Sequence, residues 1–332
     1  GIQESPYVAL ENAMLVGDPD NLREWKKGTY GKSVIEADGF GSADWDSSRA
    51  GPILTERAIS FLDRHFSENS KTAIRKPFFM HYCSQSCHVP HTPPEEMDGQ
   101  PVRGSSVDAH LDMMVEADLT LGKIITRLRR EGELQNTLII FTSDNGGLSR
   151  GASGKHRGGH NSNAGFRGCK AQIYEGGHRV PFIVGWGNGQ KDSPVQPGSI
   201  SDSLIGLQDI FATLAEITSQ TIDRAHGLDS QSFLGILLGK KDAPERQSLL
   251  VQANNGTFHG QQSKKMFRVG AWKLIVTKEL EPVELYDLAS DPMERSNLIE
   301  EVSQKTRVKR MALEMKEVMQ SKRSTVAFRI GR

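Results

Sequence analysis

The sequence has no long hydrophobic run, few cysteines and no excess of charge of either sign. No stretch approaches the roughly 18 consecutive apolar residues of a membrane-spanning helix, so no span is expected. The 41 basic and 41 acidic side chains cancel, which argues against a protein that holds nucleic acid by bulk electrostatic attraction. Three cysteines, Cys83, Cys87 and Cys169, are too few and too clustered for a disulfide scaffold.

The first residues lack the features of a targeting peptide. They contain no initiator Met, no basic segment and no apolar core. A mature exported chain begins in this way after its signal peptide is removed, and so does a fragment of a longer protein. Both interpretations stay open at this point.

Hydrophobic patterning predicts an α/β domain over most of the 332 residues. Residues 1–52 show little periodicity and are expected to be irregular. Apolar spacing predicts helices over residues 53–66, 107–130 and 203–218, and buried strands over residues 76–82, 136–143 and 180–186. Because strands and helices alternate, we predict a mainly parallel sheet flanked by helices.

The pattern changes beyond about residue 240. Residues 267–276 and 283–286 are typical of hairpin strands, and residues 302–320 of a basic amphipathic helix with one buried face. We therefore assign residues 1–240 to the main α/β domain. Residues 241–332 form a smaller C-terminal α+β subdomain with antiparallel strands and a terminal helix.

Polar residues follow two of the predicted strands. The strands before and after the longest predicted helix are joined by a crossover, so the loops that leave them emerge at the same edge of the sheet. These loops carry His88 and His91 after one strand, and Asp144 and Asn145 after the other. Ligands bind at this edge in open α/β sheets, and carboxylate and amide oxygens favour Ca²⁺ or Mg²⁺ over zinc. A plain turn is the alternative for this Asp-Asn-Gly-Gly segment.

A long loop rich in glycine and cations follows, over residues 148–167. Loops of this length in a compact domain are usually functional or disordered. A basic rim beside a metal site indicates an anionic substrate. A solvated loop without function is the alternative.

Several segments together resemble the sulfatases of the alkaline phosphatase superfamily. In chain order they are Lys76–Phe79, His88–Pro93, Thr142–Gly147, Phe166–Lys170, Tyr174–Pro181, Gly270–Ile275 and Glu284–Leu288. The resemblance implies an alkaline phosphatase-like fold and a calcium-dependent sulfatase, a sulfuric ester hydrolase. Such an enzyme cleaves sulfate from a sulfated carbohydrate or an aryl sulfate, and its relatives are commonly periplasmic or secreted.

The resemblance also implies roles for single residues. Asp144 and Asn145 match the metal ligands that hold one Ca²⁺, which in turn binds the sulfate group. Lys170 matches a catalytic, substrate-binding lysine that contacts a sulfate oxygen. His91 matches the histidine that contacts the ester at its bridging or sulfate oxygen, where it stabilises or protonates the leaving group. His88 is either a substrate contact or a structural residue of its loop.

The nucleophile pattern of this family is absent from the sequence. Sulfatases use a formylglycine made from Cys or Ser in the pattern Cys/Ser-x-Pro/Ala-x-Arg, and no segment fits it. The acidic strand that supplies the other calcium carboxylates is also absent, so the Ca²⁺ ligand set is incomplete. We interpret the chain as the C-terminal two-thirds of a sulfatase, with residues 1–240 a partial catalytic domain, inactive without the missing N-terminal segment as its partner. A phosphate or phosphonate ester hydrolase of the same superfamily, or a non-catalytic anion-binding remnant, is the alternative.

The remaining polar positions receive structural interpretations. His178 and Arg179 are expected to be framework residues, with Arg179 paired to Glu175. Cys169 is expected to be a small packing residue. Cys83 and Cys87 can pair only if the loop between them bends sharply.

Overall fold

The computed structural model describes residues 7–11, 14–16, 18, 20–148, 160–223, 226–253 and 263–321. The chain divides into two compact units. The first unit holds the described residues up to Leu134 together with His160, and the second holds the other described residues from Gln135 onward. A domain boundary at residue 241 stays a prediction.

The elements follow one another in short strands and longer helices. The first unit contains β1 (Ala9–Glu11), β2 (Met14–Val16), β3 (Leu22–Trp25), β4 (Gly28–Tyr30), β5 (Ser33–Ile35), β6 (Gly39–Ser42), α1 (Ala50–Asn69), β7 (Glu96–Met97), β8 (Gln100–Pro101) and α2 (Ala109–Glu131). The second contains β9 (Leu138–Thr142), α3 (Glu175–His178), β10 (Phe182–Trp186), α4 (Asp209–Ile217), α5 (Leu234–Leu237), β11 (Ser248–Gln252), β12 (Lys265–Val269), β13 (Trp272–Val276), β14 (Pro282–Asp287) and α6 (Lys305–Gln320).

The N-terminal region is more regular than its sequence indicates. Strands β1–β2, β3–β6 and β4–β5 form antiparallel pairs. The side chains of Tyr7, Trp25 and Ile35 are buried together in a small core. The expectation of an irregular segment is wrong here, because strands of three or four residues are too short to show an alternating pattern.

The two long helices of the first unit confirm their predictions. Helix α2 begins after Asp108, whose carboxylate accepts a hydrogen bond from the N–H of Leu111 at 2.9 Å. It ends at Gly132, which has a φ of 77°. The hydroxyls of Thr55 and Thr120 lie 2.9 Å apart and join α1 to α2.

Residues 77–84 form no strand, although the sequence predicts one over residues 76–82. The Phe78 ring packs against Phe66 of α1, and the Tyr82 hydroxyl lies 3.4 Å from the Thr55 hydroxyl. Phe79, between them in sequence, is 70% exposed. One side of the segment therefore covers a helix. A strand also needs a neighbour to take up its backbone hydrogen bonds, and the described residues of this unit provide none.

The ladders of the second unit are antiparallel. Strand β9 pairs with β10, and β11–β12–β13–β14 form a four-stranded sheet in sequence order. The chain thus mixes helices and strands, but among the described residues all pairs of named strands are antiparallel, so the mainly parallel sheet stays a prediction. An uninterrupted apolar run such as β9 indicates burial on both faces, and it does not specify which strand lies beside it.

Helix α6 covers the four-stranded sheet. Its side chains Met311, Met315 and Val318 pack against Phe267 and Leu285 of the strands. This confirms the prediction of an amphipathic terminal helix with one buried face. No helix in the described part of the chain is long and apolar enough to cross a membrane.

Candidate functional site

The Asp144–Gly147 turn starts two residues after the end of β9. The backbone N–H of Gly146 donates to the carbonyl of Gly177 at 3.0 Å. A Cβ atom on Gly146 would lie 1.9 Å from the carbonyl oxygen of Gly176. Because no side chain fits in this space, glycine is required at position 146. The turn is thereby held directly against the two glycines of α3.

Lys170 is joined to the same turn through its backbone. Its N–H donates to the carbonyl of Gly147 at 2.9 Å. The N–H of Gly176 donates to the carbonyl of Arg167 at 2.7 Å, and Gly168 adopts a φ of 84° that favours glycine. Three motifs from separate stretches of the sequence therefore form one backbone cluster in the second unit.

The Asp144–Gly147 turn carries side chains with oxygen donors, the type of ligand that binds a hard cation. The Asp144 carboxylate is exposed, and the amide nitrogen of Asn145 donates to the Gly146 carbonyl at 3.2 Å. Their oxygen atoms are ligands that Ca²⁺ prefers, but Ca²⁺ takes about six to eight of them. The described residues contain no group of three or more His, Cys, Asp or Glu side chains that could hold a metal.

A buried charge network lies behind α3. The ammonium of Lys273, which is 0% exposed, lies 3.0 Å from Glu175 Oε1 and 2.8 Å from Glu294 Oε1. The other oxygen of Glu294 accepts the backbone N–H of Glu175 at 2.7 Å, and His178 Nε2 lies 3.2 Å from the ammonium. Arg179 lies 3.6 Å from Glu175, as predicted. The strand β13 thus holds the helix that supports the Asp144–Gly147 turn.

The network has a defined charge state at neutral pH. Burial lowers the pKa of His178 to about 4, and the positive charge of Lys273 acts in the same direction. Burial raises the pKa of Glu175, but the charge and hydrogen bond of Lys273 and the charge of Arg268 outweigh it and the net shift is downward. His178 is therefore neutral and Glu175 ionised, which agrees with a framework role for both.

Arg167 ties the Lys170 segment to the C-terminal strands. Its guanidinium donates to the hydroxyl of Tyr286 at 2.7 Å and to the backbone carbonyl of Glu294 at 3.1 Å, and it lies 3.7 Å from the ring centre of Tyr174. These contacts give Arg167 a structural role in the second unit, while its side chain is still 42% exposed. Residues 149–159 of the predicted rim lie outside the described residues.

The two predicted histidines lie in the first unit. His91 is half-buried, and its Nε2 lies 3.3 Å from Nδ1 of His110. Burial lowers the pKa of His91, the charge of His110 lowers it further, and a hydrogen bond to the backbone carbonyl of Cys87 opposes both. The exposed His88 ring lies 2.8 Å from the carbonyl of Val89.

Two polar residues of α2 beneath this loop were missed by sequence reasoning. One is His110, and the other is Glu116, which is 1% exposed and accepts a hydrogen bond from the Gln85 amide at 3.1 Å. Burial raises the pKa of Glu116 to about 7 and that of the nearby Cys87 thiol to about 12. Cys87 is thus a thiol rather than a thiolate nucleophile. Polar residues at four-residue intervals, from position 108 to 120, were the available signal for a buried polar face.

In the structure, the predicted site residues of the second unit lie in one cluster, and those of the first unit lie in a separate loop. Asp144, Asn145 and Lys170 belong to one backbone cluster in the second unit. His88 and His91 share a loop in the first unit. Convergence of the two groups stays a prediction. Cys169 is 4% exposed, as expected of a packing residue, and the described cysteines are all free.

Comparisons with known proteins place the chain among sulfatases. It matches the Sulfatase family model over residues 24–220 and the model for N-sulphoglucosamine sulphohydrolase, C-terminal, over residues 168–322. An N-acetylgalactosamine-6-O-sulfatase of Bacteroides thetaiotaomicron is 31% identical over 77% of this chain and 49% of the relative. Human arylsulfatase A is 30% identical over 68% of this chain and 45% of the relative. The chain thus spans about half the length of these relatives.

A solved structure supports the same fold. It is described under the metabolism of multiple glycosaminoglycans by Bacteroides thetaiotaomicron, and it superimposes with a TM-score of 0.75 at 26% sequence identity. The superposition covers 95% of this chain and 70% of that one. Nearly all of this chain therefore has a counterpart in that structure.

Proposed function

The chain belongs to the sulfatase family, and from this premise we propose that it forms the sulfate-binding portion of a sulfuric ester hydrolase. The substrate we propose is a sulfated carbohydrate. One similar protein is named for a 6-O-sulfated amino sugar and another is described under glycosaminoglycan metabolism. An aryl sulfate is the second candidate, because human arylsulfatase A is also similar.

The hydrogen bond between Lys170 and Gly147 carries this proposal. It fixes the start of the lysine side chain beside the turn that bears Asp144 and Asn145. An ammonium is a compact point charge that suits a sulfate oxygen. Asp144 and Asn145 would hold a calcium ion, and that ion would supply a second positive charge for the sulfate group. Anion and cation sites that share one backbone cluster are expected of a sulfate-binding centre.

His91 is proposed to act on the same ester as Lys170. In the proposed enzyme the sheet is mainly parallel, and the substrate binds outside the carboxyl ends of its strands. His91 contacts the bridging or sulfate oxygen of the ester, where an imidazole can stabilise or protonate the leaving alkoxide. His88 is proposed as a substrate contact in the same loop.

The nucleophile does not come from this sequence, in our proposal. No Cys/Ser-x-Pro/Ala-x-Arg pattern is present, and burial keeps the Cys87 thiol protonated. The formylglycine and the other calcium carboxylates would then come from a segment outside these residues. The chain alone is expected to bind Ca²⁺ weakly and to release no sulfate. We also propose a periplasmic or secreted location, on family resemblance.

Binding measurements on the chain test the sulfate site. We expect a 6-O-sulfated N-acetylgalactosamine oligosaccharide to bind more tightly than its desulfated form, by calorimetric titration in the presence of Ca²⁺. A charge-assisted hydrogen bond contributes about 1.5–3 kcal/mol, so Lys170→Met should weaken binding about 10-fold or more. Lys170→Arg keeps the charge, and Lys123→Met removes an exposed lysine elsewhere as a matched control.

The outcomes separate the candidate functions. Equal affinity for sulfated and desulfated sugars, or no effect of Lys170→Met, would contradict the proposed site. Tighter binding of a phosphorylated sugar would favour the phosphate ester hydrolase. Release of sulfate from phenyl sulfate by the chain alone would show that the nucleophile lies within these residues.

A further inference from the structure

Two imidazole rings face each other in the first unit. His91 lies in the loop after residues 77–84, and His110 lies in the first turn of α2. Their ring centres are 4.9 Å apart at an interplanar angle of 63°, and His110 Nδ1 lies 3.3 Å from His91 Nε2. Both side chains are half-buried. The facing nitrogen atoms are therefore within hydrogen-bonding reach of each other.

These two nitrogen atoms can share only one proton. In a neutral imidazole one nitrogen carries a hydrogen and the other a lone pair. A hydrogen bond from His91 to the backbone carbonyl of Cys87 also acts on this ring. Because Nε2 faces His110, we assign this second bond to Nδ1 of His91. Nε2 of His91 is then the acceptor, and Nδ1 of His110 must be the donor.

We propose that His110 is a positioning residue for His91, whose ring it holds in place through a hydrogen bond from Nδ1 to Nε2. When His91 takes up a proton at Nε2, His110 must give up its Nδ1 hydrogen and carry one at its own Nε2 instead. The pair thereby gains one proton in total. This inference rests on the proposed function only for the use of His91 at the ester oxygen, since the hydrogen bond itself requires no substrate.

The surroundings favour a singly charged pair. Besides His110, the charged groups that act on His91 are Asp108, which favours its protonation, and His88, which opposes it. Asp108 is held in place, because its carboxylate caps α2 through the N–H of Leu111 at 2.9 Å. A second positive charge 3.3 Å away is unfavourable. The two rings should therefore titrate in two coupled steps rather than independently.

Nitrogen NMR of the imidazole rings in the full chain tests this assignment. The wild type should show Nε2 of neutral His91 as an unprotonated acceptor. His110→Asn places an amide N–H near the position of Nδ1 and should preserve this form. His110→Leu has a similar size and no donor, so the Nε2 signal of neutral His91 should shift to that of an acceptor without a hydrogen bond, and His91 should titrate in a single step.

A second pair provides the control. Asn69 Nδ2 lies 2.9 Å from His65 Nε2 on α1, so Asn69→Leu should change the His65 signals and leave His91 unaltered. Unchanged His91 signals in His110→Leu, or a protonated Nε2 in neutral wild-type His91, would overturn the inference. Failure of the sulfated sugar to bind wild type would count against the proposed function alone, because the NMR comparison contains no sugar.

Discussion

Replacement of Lys273 by methionine tests whether buried charges hold the second unit together. Methionine is unbranched and of similar length, so it fills the space but has no charge. The change leaves Glu175 and Glu294, at most 1% exposed, without the ammonium that now lies within 3.0 Å of both. Two buried carboxylates would then face each other across an apolar side chain.

The expected loss is large relative to the stability of a domain. Removal of one partner from a buried ion pair costs about 3–5 kcal/mol, out of a typical total of about 5–15 kcal/mol. Arg268 Nη1 lies 4.0 Å from Glu175 and offsets part of this, so we expect about 3 kcal/mol. In the variant the pKa of Glu175, which is now lowered, should rise above the unfolded value, and that of Glu294, which burial already raises, should rise further. The folded state then binds more protons, and the loss shrinks as the pH falls from about 8 to about 5.

Urea denaturation followed by far-UV circular dichroism measures this loss. Lys123→Met is the matched control, since its partner Asp98 lies 2.8 Å away on the surface and such pairs contribute about 1 kcal/mol or less. Lys273→Met with Glu294→Gln should recover part of the loss because one carboxylate is removed. A cost no greater than that of Lys123→Met, or a cost independent of pH, would refute the reasoning.

Three further predictions follow from buried groups. Burial lowers the pKa of His178 to about 4, whereas an unfolded histidine titrates near 6.5. The free energy of unfolding should therefore fall by about 3 kcal/mol as the pH is lowered from about 6.5 to about 4. His178→Gln should abolish that slope in urea titrations. Burial raises the folded-state pKa of Glu116 to about 7, so Glu116→Gln should stabilise the chain by about 3 kcal/mol near pH 8 and have no effect near pH 4. The same difference in melting temperature between variant and wild type at both pH values would contradict this. Gly146→Ala should lower the free energy of unfolding by about 1–3 kcal/mol or more, since its Cβ would collide with the Gly176 carbonyl. Gly122→Ala is the control: this position lies in open space on a helix, so the change should raise the free energy of unfolding by up to about 1 kcal/mol.

Helix α2 illustrates what a pattern can and cannot predict. Its ends lie within two residues of the predicted ones, because Asp108 is a local start signal and Gly132 a local stop signal. The buried side chains of this helix do not follow its apolar residues. Met114 is 42% exposed, whereas Asp112 is 3% exposed because it accepts hydrogen bonds from the N–H groups of Gly104 and Ser106. Whether a polar side chain is buried depends on its hydrogen-bond partners, and the spacing of apolar residues along a helix does not identify those partners.

The strands show the same division between local and long-range information. The apolar run at Leu138–Thr142 predicted β9, but its antiparallel partner β10 lies forty residues further along the chain. Residues 77–84 have a similar composition and form no ladder. The apolar content of a segment indicates burial, while hydrogen-bond pairing is a property of two segments at once.

In the candidate site, the oxygen donors of Asp144 and Asn145 predicted a cation site from their chemistry, and the resemblance to sulfatases added the sulfate contact of Lys170. The backbone contact from Lys170 to Gly147 could not be predicted from spacing. Nor could the burial of Lys273, which stands in β13 where a charged side chain would ordinarily face water.

The sequence by itself determined the two long helices of the first unit, the apolar strands β9 and β10 and the motifs that assign the chain to its family, because each depends on residues a few positions apart. Only the tertiary structure decided which strands pair, that Lys273 supports the turn of Asp144, and that His110 faces His91. Those contacts join residues far apart in the chain, and their free energy depends on burial and on partners that exist only after the chain has folded.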